Sequence, residues 1–321
     1  MQRVKEKAIE LLQNGTVDRV LGWRAGEFFY DLTPGCFTSV EEVERDFVYS
    51  VFSGANLSKY LIAESRKGGK AAVFLKPCDS YSFVQLLKEH RILRETVYAV
   101  GVQCDGMCDM EKIRAAGISG ATAVSEDGDT LKISTIYGKE TMKKSDALLL
   151  KCKTCKSKKL VIFDELLGEQ GEDCPESHRF DEVERLEAMS PEERFSFWRG
   201  ELSRCIRCNA CRNVCPACTC ETCVFDNHNL GTDNKAAASD FEENFFHIIR
   251  AFHVTSRCTD CGECSRVCPQ HIPLHLLNRK FIKDIDEFYG EFQAGVDPEA
   301  KSPLTSFTFN DVEPGVTGGR R

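Results

Sequence analysis

Along the first half of the chain, short unbroken apolar runs alternate with stretches of helical periodicity. Met1 to Gly15 sets Val4, Ala8, Leu11 and Leu12 on one face with charges between them, the pattern of an amphipathic helix rather than a signal segment. Residues 71–75 (AAVFL) read as a buried strand, 80–90 as a helix, 97–102 as a second strand and 110–116 as another helix. Asp127-Gly128, between apolar runs at 121–124 and 131–136, signals a hairpin, and 147–150 reads as a further strand delivering Lys151 and Cys152 at its end. Residues 1–167 are therefore expected to form an α/β domain. Residues 168–189 are acidic and rich in turn formers, which reads as an exposed linker. Ser190-Pro191-Glu192-Glu193 is a capping box with proline in the first turn, opening a helix through Phe195 and Trp198, and a mainly helical second domain is expected over 190–290. Residues 291–321 lack periodic apolar positions and read as a tail, disordered or laid on a partner.

No apolar run approaches the roughly 18–20 residues of a membrane span, so a cytoplasmic chain is expected. Its charge, 42 Lys+Arg against 50 Asp+Glu for a net −8, argues against nucleic acid as a partner. What changes the picture is cysteine: 18 in 321 residues, in tight C-x-x-C spacings and without a secretory signal, which points to metal ligands rather than disulfides.

Cys205, Cys208, Cys211 and Cys215-Pro216 form C-x2-C-x2-C-x3-C-P, and Cys258, Cys261, Cys264 and Cys268-Pro269 repeat it. In this pattern three thiolates wrap one face of a 4Fe-4S cubane and the fourth ligand comes from the other run. The spacing thus assigns Cys205, Cys208, Cys211 and Cys268 to one cluster and Cys258, Cys261, Cys264 and Cys215 to a second, making residues 190–290 a dicluster ferredoxin-like domain with an insertion between the runs. Zinc knuckles would use pairs of thiols across a longer gap. Cys218, Cys220 and Cys223 at the head of the insertion offer three ligands for a further cluster, with Cys36, Cys108 or Cys174 as candidates for the fourth; the alternative is reduced thiols packed near the other clusters.

A second set lies in the first domain. Cys78, Cys104 and the Cys152/Cys155 pair each follow an expected strand, and convergence at one sheet edge suggests a third 4Fe-4S cluster. A four-thiolate zinc site using Cys108, and a redox dithiol at Cys152/Cys155, remain as alternatives. Lys151, Lys153, Lys156, Lys158 and Lys159 crowd the pair, either a collar for docking an acidic donor such as a ferredoxin or a solvated charge run.

At FLKPCD, VQCDGM and LLLKCKTCK the sequence resembles the beta subunits of deazaflavin-reducing hydrogenases and formate dehydrogenases, here fused to a bacterial-type dicluster ferredoxin at RCIRCNACRNVCP and RCTDCGECSRVCP. The resemblance implies cluster ligands at Cys78, Cys104, Cys152 and Cys155. It also implies an iron-sulfur subunit of an anaerobic, cytoplasmic redox complex, of the type that accompanies heterodisulfide-reductase-like, electron-bifurcating modules. The chain lacks the extended carboxyl half on which those subunits bind flavin and deazaflavin, so a non-catalytic role is expected. The function expected is relay of single electrons between a flavin or cluster of a partner and a heterodisulfide-reductase- or hydrogenase-like module. A flavin-dependent subunit that binds FAD and reduces a deazaflavin or other small acceptor is the alternative.

Overall fold

The computed structural model describes residues 2–227, 229 and 240–306. Among the described residues there are eight strands: β1 (Arg19–Ala25), β2 (Leu32–Phe37), β3 (Ala71–Leu75), β4 (Val97–Val102), β5 (Ala121–Asp127), β6 (Thr130–Thr135), β7 (Gly138–Lys143) and β8 (Glu165–Leu167). The main sheet has the order β2-β1-β3-β4-β8; only the β1–β2 pair is antiparallel. A parallel strand covered on both faces reads as a continuous apolar run, which is why AAVFL, buried at every position, was legible. Trp23, Phe37, Phe47, Phe74 and Leu86 fill this core, with ring centroids 5.4 Å apart for Phe37–Phe47 and 5.6 Å for Phe47–Phe74.

The expected hairpin is β5–β6, turning at Gly128 (φ +59°), and β7 extends it to a separate three-stranded sheet. The run 147–150 is not a strand. It is split between the helical turns Lys144–Ala147 and Leu150–Lys153, with Leu148 and Leu149 extended between them. The loop at 107–109 supplies its backbone partners: Asp109 N–H donates to Ala147 O and Leu149 N–H to Met107 O, both at 2.8 Å. These bonds leave no need for a ladder, and β8 takes the place beside β4.

Among the described residues, 190–290 carry helices and no strand. The capping box opens the helix Pro191–Ser203 as expected, Glu193 N–H donating to Ser190 Oγ (3.2 Å) and Ser190 N–H to Glu193 Oε2 (2.9 Å). The acidic stretch 168–189 is more than a connector, since its helix Asp181–Glu187 buries Val183 and Leu186 against Leu276. Of the tail, residues 291–306 lie back on the chain: Ala294 is buried, Ser302 Oγ donates to Ser256 Oγ at 2.5 Å and Lys88 bonds to Ala300 O. Residues 307–321 lie outside the described residues.

The cysteine-rich region is tied to the first region by buried and half-buried polar contacts. Arg257 grips Glu89 with two bonds (2.8 and 2.6 Å), Lys151 Nζ meets Glu263 Oε1 at 2.5 Å, and Ser82 Oγ lies 2.9 Å from Thr259 Oγ1.

Candidate iron-sulfur centres

The two cysteine runs fold alike. Two and four residues after the first cysteine of each run the backbone is left-handed, at Arg207 (φ +54°) and Asn209 (φ +60°), and again at Asp260 (φ +57°) and Gly262 (φ +67°). A short helical turn then carries the third thiol, Ala210–Asn213 for Cys211 and Glu263–Arg266 for Cys264. Residues of alternating hand turn successive N–H groups inward, the geometry that cradles anions. In the first run Arg207 N–H points at Cys205 Sγ, 3.3 Å away.

The crossed pairing of the runs has a counterpart in space. One enclosed cavity is lined by Cys205, Cys208, Cys211 and Cys268, with Pro269 and Phe246 on its walls. Cys215 in turn is an electrostatic neighbour of Cys258, Cys261 and Cys264 alike. Burial pushes the Cys261 and Cys264 thiols up to about 12 and Cys211 to about 11, and Cys258 also lies well above the usual thiol range. Bare thiolates are costly in such surroundings, whereas a bound metal displaces the proton and takes up the charge.

In the first region the four expected thiols meet although the third expected strand does not exist. Cys78 is the second residue of the helix Pro77–Lys88, whose start is fixed by the buried Lys76–Asp79 ion pair (2.7 Å), so the positive end of the helix dipole faces the site. Cys104 follows β4, and Cys152 sits in the turn Leu150–Lys153, its sulfur accepting a bond from Met107 N–H at 3.3 Å. Cys78, Cys104, Cys152 and Cys155 line one cavity, and Asp260 and Cys261 of the second run line it too. Burial pushes Cys104 up to about 12 and holds Cys78 well above the usual range. Cys108 is not part of this ring; it is buried with Met110, Ile113 and Ala147.

Cys218, Cys220 and Cys223 line a cavity of their own. None of the fourth ligands considered for them lines it: Cys36 Sγ lies 3.6 Å from Glu64 Oε2, Cys108 is in the core just named, and Cys174 is beside Cys155. The lysine collar divides. Lys151 is buried against Glu263 and Gly54 O, and Lys156 donates to Thr259 O (2.9 Å) over the Tyr81 ring; only Lys153 and Lys159 are fully exposed. Two of the five cations therefore hold the two regions together instead of facing a partner.

Among the described residues no three His, Cys, Asp or Glu side chains form a group that could hold a metal ion. A lone tetrahedral ion would draw its thiolates to about 2.3 Å from one point. Here the thiols assigned to the first cluster and the four of the first region each line a cavity, the arrangement a larger inorganic core requires. With their buried sulfurs and inward N–H groups, these cavities fit iron-sulfur clusters.

The matching family model, a 4Fe-4S dicluster domain, spans residues 201–272 and contains both runs. Residues 201–272 are a 4Fe-4S dicluster domain. Over most of its length the chain is also similar to the F420-dependent formate dehydrogenase subunit beta of Methanocaldococcus jannaschii, 26% identical over 85% of this chain and 86% of that protein. It is 25% identical to the F420-dependent formate dehydrogenase 1 subunit beta of Methanococcus maripaludis, over 92% of this chain and 90% of the relative, so against these two relatives the expected loss of a carboxyl half is not found. A chain of the F420-reducing [NiFe] hydrogenase complex from Methanosarcina barkeri overlaps at a TM-score of 0.42 and 13% identity, covering 58% of this chain and 72% of that one, too loosely to carry an argument. The dicluster domain and the cysteine content together support multiple 4Fe-4S clusters, and an electron-transfer subunit of an oxidoreductase fits. FAD finds no support in these matches. Among the described residues no helix is long and apolar enough to cross a membrane.

Two features of the site escaped sequence reasoning. Glu263 and Lys151, 112 positions apart, form a buried pair between two sites, and Arg250 is buried among thiols. In the sequence each reads as an ordinary surface charge.

Proposed function

We propose that the chain relays single electrons through three 4Fe-4S clusters arranged in series. Cys205, Cys208, Cys211 and Cys268 hold the first, Cys258, Cys261, Cys264 and Cys215 the second, and Cys78, Cys104, Cys152 and Cys155 the third. Bound cubanes with four thiolates supply one-electron chemistry and leave no open position for a substrate. The observation that carries the series is the shared wall: Cys261, assigned to the second cluster, lines the cavity of the four first-region thiols. On the other side, Cys264 is an electrostatic neighbour of Cys211, assigned to the first. The chain's own residues fix the spacing, exclude water and aim N–H groups and the Pro77–Lys88 helix at the sulfurs, which raises potentials by favouring the reduced, more negative state.

The names of the relatives support a formate dehydrogenase-type complex as the setting. In this reading the chain works in the cytoplasm, and electrons arrive from or leave to a flavin or cluster of another subunit. The relatives' names do not bear on the heterodisulfide-reductase-like module. Iron and acid-labile sulfide per chain, measured on anaerobically purified protein, test the reading. Each cubane adds about four of each, so about twelve is the minimum for the series. About eight, unchanged by Cys104→Ser, would remove the third cluster, and an iron-free chain would end the proposal.

A further inference from the structure

We infer that Cys218, Cys220 and Cys223 bind a fourth iron-sulfur cluster by three thiolates, with the buried guanidinium of Arg250 as its counter-cation. This extends the relay proposed above and rests on it. The three thiols line one cavity together with Lys59, Arg212, Arg250 and Arg257. The other cations there are already engaged: Arg212 pairs with Asp226 (2.7 Å), Arg257 grips Glu89, and Lys59 donates to Cys218 O. Arg250 is different. It is 2% exposed, lines the cavity, and its Nε, Nη1 and Nη2 have no hydrogen-bond partner among the described residues.

An unpartnered guanidinium in that position is among the costliest groups a protein can bury, and it persists where an anion completes it. The inorganic core of a 4Fe-4S cluster carries about +2, so three thiolates bring the assembly to about −1, and the guanidinium serves it together with the neighbouring clusters, since Cys211, Cys264 and Cys215 are its electrostatic neighbours as well as Cys218. Its N–H fork also suits the sulfides of such a core better than a point charge would. Cys215 is hydrogen-bonded to Cys218, so this cluster adjoins the second and branches from the series there. With no fourth cysteine on the cavity wall, three thiolates would leave one iron without a cysteine ligand, and Cys220 and His253 of that wall are exposed.

The full chain, purified anaerobically, tests this by iron and sulfide content beside the paramagnetic signals of the dicluster domain. Cys220→Ser/Cys223→Ser is the informative variant, because neither residue touches Cys215. The expected result is about sixteen irons in the natural chain, falling to about twelve in the double variant with the dicluster signals retained. A double variant with undiminished iron overturns the fourth site whatever the starting content, whereas about twelve irons falling to about eight in the double variant keeps the fourth site and removes the third cluster of the relay. About eight in the natural chain, unchanged by Cys104→Ser, defeats the three-cluster relay itself, a separate failure. Arg250→Gln is expected to lose the same quarter of the iron; full retention overturns its role as counter-cation.

Discussion

The Lys151–Glu263 pair predicts an asymmetric response to removing either member. Lys151 Nζ donates to Glu263 Oε1 at 2.5 Å and to Gly54 O at 2.7 Å, and the two side chains are 6% and 2% exposed. Glu263 has other donors, Arg266 Nε and Nη2 at 2.8 Å each and Asn56 N–H at 3.1 Å. Lys151→Met thus removes one of four donors, and the loss is that of one charge-assisted bond, about 2 kcal/mol. Glu263→Gln keeps an acceptor oxygen but removes the carboxylate charge, and a buried ammonium stranded without its counter-charge costs about 3–5 kcal/mol. At about 2 °C per kcal/mol for a chain of this size, the melting midpoint should fall by about 4 °C in the first variant and about 6–10 °C in the second. Thermal unfolding followed by circular dichroism under anaerobic conditions reads both. The reasoning is refuted if Lys151→Met is the more damaging, or if the double variant is additive within about 0.5 kcal/mol, since contacting charges should couple.

Cys268→Ser should lose the cluster of Cys205, Cys208 and Cys211 while the paramagnetic signal of its neighbour survives; the opposite pattern would mean that each run keeps its own fourth thiol. His275 is 5% exposed, its Nδ1 2.8 Å from Ser265 Oγ, and burial together with Arg279 lowers its pKa from 6.5 to about 4. The folded chain keeps the ring neutral while the unfolded chain takes up a proton, so stability should be full above pH 6.5 and fall by up to about 3 kcal/mol as pH drops to about 4. His275→Gln should flatten that slope in denaturation measured across the window. Gly262→Ala meets both a left-handed backbone and Lys151 Cβ at 2.5 Å, so it should destabilise by about 1–3 kcal/mol. Gly200→Ala, in a helix with nothing within 4 Å of the added carbon, should instead stabilise by about 0.5–1 kcal/mol in the same assay.

How much was legible in the sequence depended on the kind of signal. β3 and β4 are continuous apolar runs of strand length, and the structure places them where the pattern does. β2 was missed because Pro34 and Gly35 interrupt it, a licence that an edge strand has and a central one does not. Residues 147–150 were misread because four apolar residues cannot distinguish a strand from two half-turns when the pairing loop lies 40 residues earlier. The four first-region thiols line one cavity all the same, since a turn can deliver a thiol to a sheet edge as well as a strand can. Arg250 was out of reach: within the helix Asp240–His253 it reads as one more charge, and only the fold closes thiols around it.

Arg257 on Glu89, Lys151 on Glu263 and Ser82 on Thr259 clamp one half of the molecule to the other, the first pair half-buried and the other two buried. A carrier that swings between stations would need a weak, wet hinge at that seam. This one is welded there, so passage between its redox stations is a tunnelling problem of constant gap width, indifferent to viscosity and to added salt. Whatever diffusion the pathway needs is left to the molecules that come to meet it.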